Sequence, residues 1–468
     1  MRHIILGAGP AGVIAAETLR KIAPYDSVSI VGDEPEPPYS RMAIPYLLAG
    51  GVGESGTHLR HGANHYGNLG IAVQRGRATA IDAKAKTVTL DNGAVLGFDT
   101  LLVATGSSPG KPPIRGIDDP HVQTCWTMAD ARAIMKLAKP GARVVQMGAG
   151  FIGCIIMEAL AARGVKLSVV EMGDRMVPRM MGPTAGSMIK EWCEKKGVRV
   201  FTGAKVDSIE SSATAHAHAH SRAAAPTSPS LIGRLAAAIG LGPKPAAGSG
   251  NGRAHTHSDV ALRVKLSSGQ TLDADLVINA TGVRPNIGWL NGSGVKCATG
   301  VLTDERMRSN IAGIYAAGDC AEAFDVATGT TVISAIQPNA ADQAYVAAMN
   351  MAGRDTTLKC VTQINVLDTL GLVSTSFGQW QGVPGGQQVE LTDRAAGRHL
   401  SLQFFGDRMV GCNSIGWMEH VGVMRGLVEG QVRLGEWKDK LVHDPTLLME
   451  AYLARAQAQE THQTDMRR

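Results

Sequence analysis

The stretch Gly7-Ala8-Gly9-Pro10-Ala11-Gly12 recurs in altered form as Gly148-Ala149-Gly150-Phe151-Ile152-Gly153. Each copy follows an apolar run and opens a pattern typical of a helix. An acidic residue stands roughly 20 residues further on in both cases, Asp33 in the first unit and Glu171 in the second. Glycines at this spacing allow a tight turn from a strand into a helix whose first N–H groups approach a pyrophosphate. Two complete copies predict two dinucleotide sites in one chain, with electron transfer between them.

Composition and charge limit the classes of protein to which the chain can belong. Its 468 residues predict roughly three domains, and a hydrophobic content of 44% is typical of an ordinary α/β protein. The net charge of +5 is not concentrated in a dense basic stretch, so we expect no nucleic-acid partner. No apolar run reaches the roughly 20 residues of a membrane span, and no signal-peptide pattern opens the chain, which together predict a cytoplasmic protein.

The seven cysteines are scattered and never form a CxxC pair. That spacing is typical of reduced, mostly buried thiols and offers no framework for zinc or an iron–sulfur cluster. Residues 211–258 contain His216, His218 and His220 beside a tract rich in Ala, Gly, Pro and Ser. This composition predicts a disordered insertion on a β-hairpin, because it buries too little apolar surface to offset the entropy of ordering. The histidines indicate either a low-affinity metal cluster or solvated side chains, and we expect no specific metal site.

The acidic residue of the second unit bears on the choice of dinucleotide. A carboxylate at the end of its strand, here Glu171, favours a free ribose 2′-OH and repels a 2′-phosphate. This predicts NADH rather than NADPH, although Arg175 close by weakens the preference. The last part of the chain has a different pattern: alternation at 399–405 and a helical stretch at 418–429 predict a separate α+β domain.

Further motifs strengthen the pattern of two nucleotide units. Apolar strands break at Ala104-Thr105-Gly106 and at Ala280-Thr281-Gly282, and a third strand leads into Gly318-Asp319. Together with the two glycine signatures, these motifs resemble the pyridine nucleotide–disulfide oxidoreductase superfamily over nearly all of residues 1–350 except the insertion. The resemblance implies an α/β fold with two Rossmann-like, glutathione-reductase-like domains and a C-terminal α+β interface domain, which often forms a dimer interface, so a homodimer is possible. The implied domains are 1–111 with 285–354 for FAD, 112–284 for NAD, and 355–468.

The resemblance places FAD on the first unit and the nicotinamide dinucleotide on the second. Arg41 is expected either at the FAD pyrophosphate or in an ordinary surface role. The residues implied for FAD are Gly7, Gly9, Pro10, Ala11, Gly12, Asp33, Arg41, Ala78, Ala104, Thr105, Gly106, Gly318 and Asp319. Those implied for NADH are Gly148, Gly150, Phe151, Ile152, Gly153, Glu171 and Gly282.

Within the superfamily, two adjacent segments of the chain resemble two different branches. Residues 31–41 look like the ferredoxin, rubredoxin and nitrite reductase branch, whereas 43–46 are similar to single-cysteine CoA-disulfide reductases and NADH oxidases. The redox cysteine of that second branch falls at Met42, whose thioether forms no thiolate, and no CxxxxC follows the first unit.

Two charged residues that relatives carry near the flavin and nicotinamide are also replaced. Their places hold Tyr46 and Ile155, and Glu158 is a candidate substitute carboxylate. Tyr46 and Trp417 are expected either beside the flavin ring or in the core.

The resemblance therefore implies an FAD-dependent NAD(P)H oxidoreductase that passes electrons from NADH through FAD to an external acceptor. Without a thiol relay the acceptor must approach the flavin directly, which favours a redox partner protein such as a ferredoxin or rubredoxin. Two alternatives remain open: a flavoprotein subunit that scaffolds a larger redox complex without turnover, and an oxidase that uses oxygen or a quinone. No catalytic side chain is assigned, because hydride transfer is the chemistry of the cofactors.

Overall fold

A computed structural model describes residues 1–211, 260–325, 327–361 and 363–455. The insertion predicted at 211–258, including its histidines, lies outside these residues apart from Ser211.

The first nucleotide unit is a parallel sheet with a small antiparallel sheet beside it. Its central strands are apolar on both faces, and Ile5, Leu101 and Leu102 are fully buried, as expected for a sheet covered on both sides. The elements from this part of the chain are β1 (Arg2–Leu6), α1 (Pro10–Ile22), β2 (Ser27–Gly32), α2 (Ile44–Leu48), α3 (His65–Asn68), β3 (Ile71–Arg75), β4 (Ala78–Asp82), β5 (Thr87–Leu90), β6 (Val95–Gly97), β7 (Thr100–Val103) and β8 (Ser107–Pro109).

The second nucleotide unit repeats the arrangement. Its elements are β9 (Val122–Gln123), α4 (Met128–Leu137), β10 (Arg143–Met147), α5 (Phe151–Ala162), β11 (Lys166–Glu171), α6 (Pro183–Lys195), β12 (Arg199–Thr202), β13 (Val206–Ser211), β14 (Leu262–Leu266), β15 (Thr271–Ala274), β16 (Leu276–Asn279) and β17 (Val283–Pro285). The parallel sheet has the order β12-β11-β10-β16-β9. Strands β13 and β14 pair antiparallel, so the predicted insertion connects the two strands of a hairpin.

The chain then returns to the first unit. The elements of this return are β18 (Val301–Leu302), β19 (Ile314–Ala316), β20 (Ala321–Asp325), β21 (Thr330–Val332) and α7 (Gln337–Met351). Strand β19 pairs in parallel with β7 and completes a sheet of order β19-β7-β1-β2-β3, while α7 packs along α1. Two separate stretches of sequence therefore build one hydrophobic core.

The last part of the described chain is an antiparallel sheet with helices on one face. Its elements are β22 (Ile364–Thr369), β23 (Leu372–Gly378), β24 (Gln387–Asp393), β25 (Arg398–Phe405), β26 (Arg408–Ile415), α8 (Val421–Glu429) and α9 (Trp437–His443). The strand order is β22-β23-β26-β25-β24. Phe377, Leu402 and Phe404 on one face of the sheet share a core with Met424 and Leu427 of α8. The α+β pattern predicted for this region is present.

Helix α2 links the two nucleotide units. Ile44 and Leu48 of this helix are buried in a core that also contains Ile134 of α4 and Ile156 of α5. This packing holds the segment around residues 34–48 against the second unit, although it branches from the first. The space between the two units is therefore walled by residues of both.

Candidate active site

The first glycine of each signature stands where no other residue fits. Gly7 has a φ of +122°, and a Cβ added there would lie 2.0 Å from the carbonyl oxygen of Ala104. Gly148 has a φ of +96°, and its Cβ would lie 2.5 Å from the carbonyl oxygen of Ala280. Both turns thus bring a helix start against a neighbouring strand end, as the spacing predicted.

The second glycine of each signature faces open space. A Cβ added at Gly9 or Gly150 would meet no atom within 4 Å. Helices α1 and α5 begin one residue later, at Pro10 and Phe151, and neither has an acidic residue in its first turn. An open backbone beside a helix N-terminus fits a pyrophosphate, because unpaired N–H groups and the helix dipole both favour an anion there.

One continuous cleft contains residues of both signatures. The predicted residues that line it are Gly7, Gly9, Pro10, Ala11, Asp33, Arg41, Ala104, Thr105, Gly106, Phe151, Ile152, Gly318 and Asp319. A second pocket adjoins it, where Ala78 lies with Asp33 and Trp289. The start of α5 therefore faces the first glycine turn across a shared space, as expected if two bound dinucleotides meet there.

The remaining predicted residues do not line this cleft. Gly12 packs inside the first turn, where a Cβ would lie 1.9 Å from the carbonyl oxygen of Gly7. The others, all in the second unit, are Gly148, Gly150, Gly153, Glu171 and Gly282. Glu171 is buried, and its carboxylate oxygens accept hydrogen bonds from the N–H groups of Ala149 and Gly173, each at 2.7 Å. The acid at the end of β11 thus braces the second glycine turn.

Arg175 is engaged away from that acid. Its guanidinium donates to the carbonyl oxygen of Met181 at 2.9 Å and pairs with Asp174 at 2.8 Å. Arg175 thus has protein partners of its own, and the Glu171 carboxylate at the end of β11 favours a dinucleotide with a free 2′-OH.

Two polar groups of the first unit face the cleft in defined settings. Ser107 Oγ donates to the Asp319 carboxylate at 2.7 Å, and burial raises the pKa of Asp319 above its usual value. Arg41 lines the cleft but is also paired with Glu34, with 2.6 Å between guanidinium nitrogen and carboxylate oxygen. Arg41 therefore has a protein partner as well as access to the cleft.

The end of the cleft nearest α5 is apolar. It is lined by Met42, Pro45, Phe151, Ile152, Ile155, Ile156 and Val283. Tyr46 is 66% exposed and does not line the cleft, and Trp417 packs in the C-terminal core. Glu158 does not line it either, and its role as a substitute carboxylate stays a prediction. The residues that α5 contributes to the cleft, Phe151, Ile152, Ile155 and Ile156, therefore carry no charge.

Several cleft residues were missed by sequence reasoning. They include Glu34, Glu36, Pro45, Cys125 and Trp126. Cys125 lines the cleft as a thiol, because burial raises its pKa to about 12. The sequence pattern Thr127-x-x-Asp130 could have indicated the position of Trp126. These two residues form the capping box of α4, which fixes the start of the helix and therefore the place of the residue before it.

The described residues contain neither a membrane-spanning helix nor a cluster of metal ligands. None of the helices in this part of the chain is both long and apolar enough to cross a bilayer. No group of three or more His, Cys, Asp or Glu residues is arranged there to hold a metal ion.

Comparison with known proteins identifies relatives along the whole chain. The chain is 28% identical over 448 residues to the NADH-dependent phenylglyoxylate dehydrogenase subunit epsilon of Aromatoleum evansii, covering 95% of each. It is 27% identical to the rubredoxin-NAD(+) reductase of Pseudomonas putida, covering 76% of this chain and 81% of the relative. The reductase in a covalent putidaredoxin reductase–putidaredoxin complex superposes with a TM-score of 0.80 at 21% identity, covering 97% and 98% of the two chains. That last likeness confirms the predicted fold of two Rossmann-like domains and a third domain.

The family model described as pyridine nucleotide-disulphide oxidoreductase matches residues 1–248 and 244–349. These matches include both glycine signatures and the strands that end at Gly106, Gly282 and Asp319. The predicted enzyme class, an FAD-dependent NAD(P)H oxidoreductase, and the predicted cofactors, FAD and NADH, are thereby confirmed. The chain belongs to the pyridine nucleotide-disulphide oxidoreductase family.

Proposed function

We propose that this protein exchanges electrons between NADH and a redox partner protein by way of FAD. The observation that carries the proposal is the shared cleft, in which Phe151 and Ile152 at the start of α5 face the same space as Gly9 and Asp319. FAD, when bound, supplies the chemistry that takes a hydride from NADH and releases electrons singly or in pairs. The protein residues bind, orient and shield the two cofactors.

In this proposal the first unit binds FAD. The open backbone at Gly9 and the N-terminus of α1 suit the pyrophosphate, and Asp33 lies where the cleft and the adjoining pocket meet, in reach of a ribose. The Asp319 side chain on the cleft wall is proposed to bind a hydroxyl group of the FAD ribityl chain. Arg41 is proposed for the pyrophosphate, a role in which it would face both phosphate and Glu34.

The second unit is proposed to bind NADH at Gly148, Gly150, Gly153, Glu171 and Gly282. Ile152 and Ile155 of α5 then exclude water where the nicotinamide approaches the first unit. Exclusion of water supports hydride transfer, because no competing proton donor stands in the path. The domain limits 1–111 with 285–354, 112–284 and 355–468 belong to the same proposal.

An external acceptor fits the cleft better than a thiol relay. Met42 lies on the cleft wall at the position that the resemblance assigns to a redox cysteine, and its thioether forms no thiolate. The buried Cys125 thiol is protonated at neutral pH. Electrons therefore leave from the flavin itself, and we propose a ferredoxin-like or rubredoxin-like partner in the cytoplasm. The rubredoxin reductase among the relatives supports this acceptor class.

A second candidate is a subunit of a larger redox complex. It is favoured by the relative from Aromatoleum evansii, which is named as a dehydrogenase subunit and matches this chain from end to end. In that case the partner is a permanent neighbour, and electrons can run towards NAD⁺.

Anaerobic stopped-flow mixing with NADH tests the proposal. We expect the purified protein to show a flavin spectrum that bleaches on mixing, and the reduced protein to pass electrons to added rubredoxin or ferredoxin. A flavin that does not bleach at saturating NADH would contradict turnover from NADH. Sustained oxygen consumption without any added protein would instead favour the small-molecule oxidase.

A further inference from the structure

Trp126 belongs to the second unit by its place in the chain but is anchored to the first. It lines the cleft in the connection between β9 and α4. Its indole Nε1–H donates to the carbonyl oxygen of Ser107 at 3.0 Å. Its own carbonyl oxygen accepts from the Arg41 guanidinium at 2.6 Å, and the guanidinium carbon lies 5.4 Å from the indole centroid. One residue thus holds two separate groups of the first unit.

The backbone of Trp126 is itself fixed by α4. The Asp130 carboxylate accepts from the N–H of Trp126 at 2.8 Å and from that of Thr127 at 2.9 Å. The same carboxylate accepts from the Thr124 hydroxyl at 2.7 Å. The Thr127 hydroxyl oxygen in turn accepts from the backbone N–H of Asp130. The position of the indole therefore follows from the capping of a helix that belongs to the second unit.

Both contacts of the indole continue to charged groups in the cleft. On one side, Ser107 Oγ donates to Asp319 at 2.7 Å. On the other side, Arg41 pairs with Glu34 at 2.6 Å. The result is a connected series across the cleft wall: Glu34, Arg41, Trp126, Ser107 and Asp319. Its two ends are carboxylates and its centre is Trp126, which therefore connects the Arg41 side of the wall to the Asp319 side.

We propose that Trp126 is a positioning residue for FAD, which holds Arg41 and the Ser107–Asp319 pair in the arrangement that receives the cofactor. The inference rests on the proposed binding of FAD in this cleft. Without the indole, the guanidinium loses one of its two aromatic neighbours, the other being the Tyr39 ring at 5.6 Å, while its ion pair with Glu34 at 2.6 Å remains. It is then held less firmly towards the cleft and is less available to a phosphate. Loss of the Nε1–H also leaves the Ser107 carbonyl without its partner.

Titration of FAD-free protein with FAD measures this role directly. We expect W126L to raise the dissociation constant of FAD about tenfold, equivalent to about 1.4 kcal/mol. W126F keeps a ring beneath Arg41 but loses the N–H donor, so a smaller increase of about threefold is expected. In an R41A background the W126L effect should shrink, because one of the two groups that Trp126 holds is then missing.

Trp192 provides a matched control. Its indole N–H also donates to a carbonyl oxygen, that of Leu370 at 3.1 Å, and the Lys196 ammonium lies 4.7 Å from its ring, but it does not line the cleft. W192L should lower the thermal midpoint as W126L does and leave the FAD dissociation constant within about twofold of wild type.

Three results would overturn the inference. The first is equal FAD affinity in W126L and wild type, which would leave Trp126 without a role in FAD binding. The second is an equal loss of FAD affinity in W126L and W192L, which would indicate general destabilisation. A wild-type protein that takes up no FAD overturns the proposed function together with this inference, whereas wild-type uptake with an unchanged W126L overturns the inference alone. If W126L does not fold, the comparison of W126F with W192F decides in the same way.

Discussion

The Glu171 carboxylate accepts a hydrogen bond from the backbone N–H of Ala149 at 2.7 Å, which ties the end of β11 to the middle of the second glycine turn. The other carboxylate oxygen accepts from Gly173 at the same distance. An amide in place of this acid would have to direct its NH₂ group at one of these two donors. The residue thus shapes the turn, and its contact with a ribose of NADH is part of the proposed function.

We expect E171Q to weaken NADH binding about tenfold and to narrow the preference for NADH over NADPH. The physical reason is twofold. The substitution removes a negative charge that repels a 2′-phosphate, and the amide that replaces it strains the glycine turn. The measurement is kcat/KM for each dinucleotide with a fixed acceptor. E191Q is the control, because Glu191 is half exposed and pairs with Arg394 on the surface. An unchanged preference in E171Q would assign recognition of the 2′ position to other residues.

The apolar residues of α5 in the cleft predict that the rate of hydride transfer does not depend on the titration of a protein side chain. The cleft residues of α5, Phe151, Ile152, Ile155 and Ile156, carry no ionisable group, so we expect the rate of flavin reduction by NADH to be constant between about pH 6 and pH 9. I155E adds a carboxyl group to apolar surroundings, which raise its pKa, and the rate should then vary with pH. I155Q, of the same size and without charge, should give a flat profile again. A wild-type rate that changes tenfold over this range would contradict the absence of a titrating group.

Most of the fold could be predicted because its signals are local. Glycine turns, buried strands and the acid about 20 residues later repeat within each unit, and each is readable from neighbouring residues. The cleft wall could not be predicted in the same way. Trp126, Cys125 and Pro45 lie on it because α2 packs against α4 and α5, segments about 90 and about 110 residues away in the sequence. No local pattern records such a contact. For the same reason, the sequence did not show that Tyr46 is 66% exposed, neither on the cleft wall nor in the core.

Cys125 should be dispensable for electron transfer. Burial raises the pKa of its thiol to about 12, so almost none of it is thiolate at neutral pH. We expect C125S to retain flavin reduction by NADH and electron transfer to an added partner within about twofold of wild type. In the folded wild type, iodoacetamide should label the exposed Cys297 before Cys125. Loss of partner reduction with intact flavin reduction in C125S would restore a thiol route.

His3 predicts how the stability of the first unit depends on pH. The ring is fully buried, with Nδ1 2.7 Å from the Thr100 hydroxyl and Nε2 3.0 Å from the Asp26 carboxylate. Burial lowers the pKa of His3 below its usual 6.5, and the contact with Asp26 only partly opposes this. The unfolded chain therefore binds a proton at His3 more readily than the folded protein does.

The free energy of unfolding should consequently fall as the pH drops below 6.5, by at most about 1.4 kcal/mol per pH unit for this single proton. The loss attributable to Asp26 comes only at lower pH, because its contacts with the N-terminal ammonium and His3 hold its pKa below the usual 3.8. Urea unfolding at several pH values between about 5 and 7.5 measures the slope. H3Q should be less stable at neutral pH and show a shallower slope, whereas H443Q, which changes an exposed histidine of α9, should leave the slope as in wild type. An identical slope in H3Q and wild type would assign the acid sensitivity to other groups.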